Sequence, residues 1–213
     1  MLDNMKETKL KGCVVVQGPT NGLYVELLKT KFEGYQLIFS TWEDAEKSAY
    51  AKGDIVLYNE YPIKPGFSNL NYQKVSTLNG IQKAKELGWK RVLKWRSDMF
   101  PTDADALFQS FDTTKLNGLA WVVNQGGYIT DYFFEGDVKD IETLYDVEMT
   151  NDFPEKNLTR QFYLKGLNTN VNWIISSLTN NNDIWWEHRD GGFYLSTYQT
   201  NSVYSTKHVT QWQ

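Results

Sequence analysis

The stretch NYQKVSTLNGIQKAKELGWKRVLKWRSDMF, residues 71–100, decides the fold because it joins a long helix directly to a strand. Over residues 71–88 apolar side chains recur every three or four positions and the segment ends in Gly88, which predicts a helix with a glycine stop. Residues 89–96, WKRVLKWR, follow at once and predict a strand. Such helix-to-strand connections are typical of α/β folds with a parallel sheet.

The segments before residue 71 alternate in the same way. Strands are expected at residues 12–19, 35–40 and 54–62, and helices at residues 20–31 and 41–49, the second with Thr41 as its N-cap. Strands that alternate with helices predict a central, mostly parallel sheet with helices on both faces. Such sheets bind ligands beyond the carboxyl ends of their strands, so we expect the functional residues there.

The pattern changes after Phe100. Two short β-type segments with Gly126-Gly127 between them predict a small antiparallel hairpin. The expected elements are a short helix at residues 101–109 with Thr102, Asp103 and Asp105 in its first turn, strands at 118–125 and 127–136, and helices at 137–146 and 154–166. From Trp185 onward the sequence is aromatic and glycine-rich, and its pattern gives no assignment.

Composition excludes several classes of protein. The 213 residues suit a single domain, 1–213, and the ending HVTQWQ, which lacks a polar tail, is compatible with the N-terminal domain of a longer protein. A net charge of −4 without basic clusters argues against a nucleic-acid partner. No segment approaches the ~18 apolar residues of a membrane span. The single cysteine, Cys13, excludes an internal disulfide and fits a reducing compartment, so we expect a cytoplasmic protein.

The fourth predicted strand carries charges that a buried parallel strand does not need. Side chains alternate along a strand, so Lys94, Arg96 and Asp98 share one face. Buried charges are costly unless they are paired. A metal-bound diphosphate would satisfy all three, with the cations on phosphate oxygens and Asp98 on Mg²⁺ or Mn²⁺. An internal ion pair between one of the cations and Asp98 or a nearby glutamate explains the pattern equally well.

Other phosphate-binding motifs are missing from the sequence. It has no GxxxxGK[ST] loop, and no GxGxxG follows the first predicted strand. That strand ends in Gln17-Gly18-Pro19 instead. This segment either contacts a nucleobase through its main chain and its amide, or is only a turn.

Two segments resemble the WavE-like lipopolysaccharide-synthesis glycosyltransferases. In that family an Asn-x-Gln/Arg-x-x-Ser-Thr-x-x-Gly helix runs into a Lys-x-Arg-x-Asp strand, as in residues 71–100. YITDYFFEGD, residues 128–137, is similar to the family's Asp-aromatic-Phe-Phe-x-Gly segment. The chain also resembles glycosyltransferase domains of large algal DNA viruses, for which the location would be the host cytoplasm. The resemblance implies a GT-A fold, a UDP-sugar donor, a glycan or glycoprotein acceptor, and Mn²⁺ or Mg²⁺.

The same resemblance assigns roles to individual residues. Asp98 matches the metal-binding acid, and Arg96 matches a catalytic position that faces the leaving diphosphate. Asp131 matches an acid close to the transferred sugar and is the first candidate for the base of an inverting enzyme, followed by Glu135 and Asp137. The expected donor-binding set is Gln17, Gly18, Pro19, Asn71, Gln73, Ser76, Thr77, Lys94, Arg96 and Ser97.

The metal-binding motif departs from the Asp-x-Asp pattern of GT-A enzymes. Here it is Arg96-Ser97-Asp98, so the first acid is missing. Asp103-Ala104-Asp105 has the literal pattern, but we assign it to capping of a predicted helix. GT-A enzymes often supply a histidine from the C-terminal region, which makes His208 the expected second metal ligand and His188 the lesser candidate.

Together these features predict a metal-dependent glycosyltransferase. The alternative is a non-catalytic carbohydrate-binding module, which the 8 Trp, 13 Tyr and 11 Phe would suit, although such modules are usually all-β. A nucleotidyltransferase that makes the activated sugar is a third hypothesis, and the missing glycine-rich loop argues against it. The sequence leaves a retaining or an inverting outcome open.

Overall fold

The computed structural model describes residues 9–101, 103–123, 126–148, 151, 154–167, 171–175, 194–197 and 201–205. The strands are β1 (Cys13–Gln17), β2 (Gln36–Trp42), β3 (Ile55–Asn59), β4 (Arg91–Arg96), β5 (Met99–Pro101), β6 (Leu116–Val123), β7 (Gly126–Asp137), β8 (Val171–Ile175), β9 (Tyr194–Thr197) and β10 (Asn201–Ser205). The helices are α1 (Gly22–Lys31), α2 (Leu70–Glu86), α3 (Ala104–Gln109), α4 (Val138–Tyr145) and α5 (Pro154–Leu164).

A seven-stranded sheet in the order β3-β2-β1-β4-β7-β6-β8 forms the centre of the described part of the chain. Neighbouring strands pair in parallel except at β7, which is antiparallel to both β4 and β6. The expected mostly parallel α/β sheet with an antiparallel hairpin is therefore confirmed. Because β1 to β4 run in one direction, their carboxyl ends meet at one edge of the sheet.

Apolar layers cover both faces of this sheet, as predicted. On one face Leu93 and Trp95 of β4 pack with residues of α1 and α3. On the other face Val92 packs with residues of α2, α4 and α5. The predicted alternation of side chains along β4 is thus confirmed, and Lys94 lies on the same face as Val92.

Helix α2 approaches the sheet closely because it carries a glycine. A Cβ atom added to Gly80 would lie 2.3 Å from Val15 Cγ1 and 3.3 Å from Ser40 Cβ, so no larger residue fits without a shift. This contact holds α2 against β1 and β2. The first turn of α2 consequently lies at the carboxyl edge of the sheet.

Two predicted boundaries are wrong for reasons of strand pairing. Thr41 does not cap a helix over residues 41–49, because it continues β2 and pairs with Tyr58 of β3, and the only helical turn left in that segment is at Lys47–Ala49. The helix expected from residue 101 begins at Ala104, since β5 pairs with β10. Asp103 is its N-cap, and its carboxylate accepts a hydrogen bond from the Ala106 N–H at 2.9 Å.

The C-terminal region contributes strands to both sheets, including β9 and β10 in the segment from Trp185 onward, which had no predicted assignment. β8 extends the large sheet beside β6, and β10 lies between β5 and β9 in a three-stranded antiparallel sheet. Within the described ranges, no helix is long and apolar enough to cross a membrane.

Candidate functional site

A cleft of about 290 Å³ lies at the carboxyl edge of the sheet, where β1, β2 and β4 end. Its charged end is formed by Arg96, the last residue of β4, and by Ser97 and Asp98, which follow it. Its opposite end is aromatic, and the turn after β1 lies between the two. This is the edge at which parallel α/β sheets bind their ligands.

At the charged end, Arg96 lies between two carboxylates. Its Nε and Nη2 donate to the two oxygens of Asp98 at 2.9 and 2.8 Å, and Nη1 donates to both oxygens of Asp131 at 3.1 and 3.0 Å. Burial opposes the Arg96 charge, but Asp131 and Asp98 outweigh that effect and hold the pKa of Arg96 well above its usual value. The internal ion pair that the sequence left open is therefore present in this structure.

Pairing between β4 and β7 explains why two acids meet one guanidinium. Trp95 pairs with Phe133 across the two antiparallel strands, so Asp131 lies opposite the turn that follows β4. The ring of Tyr132 lies 5.4 Å from the guanidinium carbon of Arg96 and adds a cation–π contact. Because Asp131 is only 1% exposed, its carboxylate holds Arg96 and does not reach solvent in this conformation.

Lys94 lies behind this cluster and not in the cleft. Its side chain is fully buried, and its ammonium donates to the main-chain oxygen of Asp131 and lies 5.6 Å from the ring centre of Tyr145. Burial lowers the pKa of Lys94 to about 7, although Asp131 opposes the shift. The expected direct contact between Lys94 and a donor is not supported by this position.

The turn after β1 forms the middle of the cleft. The Gly18 N–H donates to the main-chain oxygen of Ser40 at 3.2 Å, and the Ser97 hydroxyl donates to that of Pro19 at 2.6 Å. Gly18 has φ +118°, and a Cβ atom there would meet Ser97 Oγ at 2.8 Å, so the turn requires glycine. Gln17 is 6% exposed, and its Oε1 has no hydrogen-bond partner among the described residues.

Of the four α2 residues in the predicted donor-binding set, Gln73 lines the cleft. Its Oε1 is also buried without a partner in the described part of the structure. The Asn71 amide donates to the main-chain oxygen of Lys64 at 3.0 Å, and the Ser76 hydroxyl donates to that of Tyr72 at 2.8 Å. Thr77 is fully buried. Asn71, Ser76 and Thr77 thus shape the helix and its preceding loop and do not line the cleft.

The aromatic end of the cleft was not predicted from the sequence. Trp42 and Tyr61 are stacked with ring centres 4.6 Å apart, and Tyr72 lies 5.1 Å from each. Two of these rings stand at or just beyond the carboxyl ends of β2 and β3, which is the signal that identifies them. The loop that continues this wall holds Ser68 and Asn69 at φ 47° and 61°, a conformation that residues other than glycine rarely adopt.

Glu135 and Asp137 do not lie near the cleft, so the structure contradicts their assignment as candidate bases. Asp137 pairs with Arg91 at the beginning of β4, and Glu135 binds the Arg91 guanidinium at 2.8 Å. Along β7, Glu135 is four residues, or roughly 13 Å, from Asp131. Asp105 binds Lys11 on the surface and also lies away from the cleft.

The charged end offers a carboxylate that fits a divalent ion. The described residues contain no group of three or more His, Cys, Asp or Glu side chains that would hold an ion unaided. Asp98 lines the cleft, and Mg²⁺ is usually held by one or two carboxylates together with substrate phosphates. The donor set therefore fits an ion that arrives with a diphosphate. His208 and His188, the predicted additional ligands, lie outside the described residues.

Comparison with known proteins supports the fold and leaves the family open. Neither protein-family models nor curated proteins give a match. Solved structures do match, among them 4-diphosphocytidyl-2C-methyl-D-erythritol synthase from Anaerococcus prevotii, with a TM-score of 0.51 and 13% identity over 79% of this chain and 90% of that one. The likeness shows a shared Rossmann-like α/β fold. Membership of the WavE-like family stays a prediction.

Proposed function

We propose that this protein transfers a sugar from a nucleoside-diphosphate sugar, UDP-linked, to a hydroxyl of a glycan. The observation that carries the proposal is the composition of one cleft. Arg96 and Asp98 line it at one end and the stacked rings of Trp42 and Tyr61 at the other. A nucleotide sugar has matching ends, because its base stacks on aromatic rings and its diphosphate binds cations.

In this proposal the donor lies along the carboxyl edge of the sheet, with its base at the β3 side and its diphosphate at the β4 side. The base would lie on the wall of Trp42, Tyr61 and Tyr72, beyond β2 and β3. An unpartnered oxygen of Gln17 or Gln73 would accept a hydrogen bond from the single N–H of uracil. The diphosphate would then reach Arg96 and Asp98 beyond β4, which places the sugar near the outer end of the charged cluster.

Electrostatic stabilisation of the leaving diphosphate is the main catalytic effect in this mechanism. Arg96 faces the developing negative charge, and Asp131 and Lys94 hold the guanidinium in place from behind. Asp98 would hold Mg²⁺ or Mn²⁺, and such an ion supplies Lewis acidity to the phosphate oxygens. Asp131 remains the candidate base of an inverting reaction, and this role requires that its carboxylate leave Arg96 and reach the acceptor hydroxyl.

Nucleotidyl transfer is a second candidate function. It is favoured by the likeness to a synthase whose name describes a diphosphocytidyl product, since such an enzyme also handles a nucleotide with a diphosphate. The same cleft would then take a nucleoside triphosphate and a sugar phosphate. The two functions differ in what they release, because glycosyl transfer releases a nucleoside diphosphate and nucleotidyl transfer releases pyrophosphate.

The experiment combines binding and turnover. We expect isothermal titration with UDP to show binding that depends on Mn²⁺, and a panel of UDP-sugars to release UDP. Pyrophosphate release from UTP or CTP with a sugar phosphate would favour the second candidate. Binding of free oligosaccharides without any metal-dependent binding of UDP, UTP or CTP would show a carbohydrate-binding module and refute both enzyme functions.

A further inference from the structure

We propose that Arg96 prevents a divalent ion from binding at Asp98 until a diphosphate arrives, so that metal and nucleotide bind as one coupled event. The proposal rests on the proposed function, since it concerns the same donor site. It makes Arg96 a positioning residue for the metal as well as a contact for the leaving group.

The first argument is the charge of the cluster. Two carboxylates, Asp98 and Asp131, both bind the guanidinium of Arg96, so its positive charge lies against the oxygens that a metal ion would need. A divalent ion on Asp98 would lie next to that guanidinium, since Nε and Nη2 already contact both Asp98 oxygens. Charges in such a buried site are weakly screened, so the repulsion between ion and guanidinium is strong.

A diphosphate removes this conflict. It brings several negative charges, oxygen ligands for the ion, and acceptors for the N–H groups that Asp98 now occupies. When Asp98 turns to the ion, Nε and Nη2 of Arg96 become available for the phosphate oxygens. Metal and diphosphate therefore each improve the site for the other, which is positive cooperativity with a favourable, negative coupling free energy.

The second argument is that Arg96 is held independently of Asp98. Nη1 contacts both Asp131 oxygens, and the Tyr132 ring lies 5.4 Å from the guanidinium carbon. Lys94 in turn donates to the main-chain oxygen of Asp131. Release from Asp98 thus leaves the guanidinium in place at the cleft, facing the position of the diphosphate.

The test measures Mn²⁺ binding, by electron paramagnetic resonance of the free ion, with and without UDP. For the unaltered protein we expect weak binding of Mn²⁺ alone and a gain of about 5–150-fold with UDP, the usual range of coupling. Arg96→Met removes the charge at similar length, so Mn²⁺ alone should bind about tenfold more tightly or better. The gain from UDP should then shrink to the part that the phosphate oxygens supply as ligands of the ion, after subtraction of the Mn²⁺ that UDP binds without protein.

Several variants make the test specific. Arg96→Gln serves the same purpose if Arg96→Met does not fold, as judged by circular dichroism, and Arg96→Lys should keep the weak metal-only binding because it keeps a charge. Adding Asp98→Asn to Arg96→Met should abolish the gained affinity. Arg91→Met, which breaks the other arginine–carboxylate pair on β4, should leave Mn²⁺ binding unchanged.

The outcomes separate the two proposals. If UDP strengthens Mn²⁺ binding but neutral variants of Arg96 bind Mn²⁺ alone no better than the unaltered protein, the role of Arg96 is refuted and the proposed function stands. If the unaltered protein binds no UDP with Mn²⁺, the proposed function and the coupling are both refuted.

Discussion

Strand β4 carries an arginine–carboxylate cluster at each end, each completed by an acid of β7, and the two clusters are built differently. At the beginning of β4, Arg91 donates to Glu135 at 3.1 and 2.8 Å. Five residues later, Arg96 makes the same kind of fork to Asp98 and a further contact to Asp131. The chemistry is similar, but one cluster has one acid and the other has two.

The surroundings of the two clusters decide what each can do. Arg91 also donates to the main-chain oxygen of Lys115 at 2.8 Å, and Glu135 accepts from the Asn117 amide at 2.6 Å, so other protein groups bind this pair and it does not line the cleft. Arg96 and Asp98 instead line the cleft. An arginine–carboxylate pair on a strand thus indicates a candidate ligand-binding site where a second acid joins it and where it lies at the carboxyl edge of the sheet.

The two clusters should respond differently when one acid is neutralised in each. Asp98→Asn should lower turnover by about 10²–10³-fold, because the group that holds the metal beside the leaving diphosphate is lost. The fold should persist, since Asp131 still binds Arg96. Turnover is measured as UDP release from the active UDP-sugar. Unchanged turnover and metal dependence would refute the assignment of Asp98.

The matching change at the other end is Glu135→Gln. Here we expect a loss of about 3 kcal/mol in the free energy of unfolding, at the lower end of the usual range because the Arg91 side chain is 26% exposed. Turnover per folded molecule should hardly change. Urea unfolding measures the first quantity and UDP release below the unfolding transition the second. A large fall in turnover without loss of stability would show that the Arg91 cluster also serves the reaction.

The sequence predicted the large sheet well because its pattern is local. Helix and strand periodicities identified β1 to β4, α1 and α2, and they predicted the alternation of side chains along β4. The small sheet was missed because β5 is only three residues long and its partner, β10, follows about a hundred residues later. Thr41 was misassigned because its pairing with β3 outweighs its local preference for a helix cap.

The site was predicted in part for the same reason. Arg96, Asp98 and the Gln17 turn stand at strand ends, so their meeting follows from the topology. Lys94 was expected in the cleft because side-chain alternation predicts on which face of the sheet a residue lies. It does not predict whether the residue lines the cleft or is buried behind it. Tyr72 depends on how the loop before α2 folds back, and no periodicity encodes that placement.

The aromatic end of the cleft offers a matched pair of tyrosines. Tyr61 and Tyr58 are 38% and 39% exposed, but only Tyr61 lines the cleft. If a base stacks there, Tyr61→Ala should weaken UDP binding about tenfold, near the lower end of the usual energy of base–aromatic stacking. Tyr58→Ala should leave binding unchanged. Isothermal titration measures both, and equal effects of the two substitutions would place the base elsewhere.

Lys94, between the two clusters on β4, allows a smaller effect to be measured through pH. Burial lowers its pKa in the folded protein to about 7, against an ordinary value of 10.5. Between these values the unfolded chain binds a proton that the folded protein does not, so stability should rise with pH. Relative to Lys94→Met, the free energy of unfolding should increase by up to about 1.4 kcal/mol per pH unit from pH 7 to pH 10.

Val92→Ala on the same face removes no titratable group, and its difference from the unaltered protein should stay constant over this range. Urea unfolding at each pH provides the measurement, and a constant difference for Lys94→Met would show that Lys94 remains protonated in the fold, making it a permanent second cation behind Arg96.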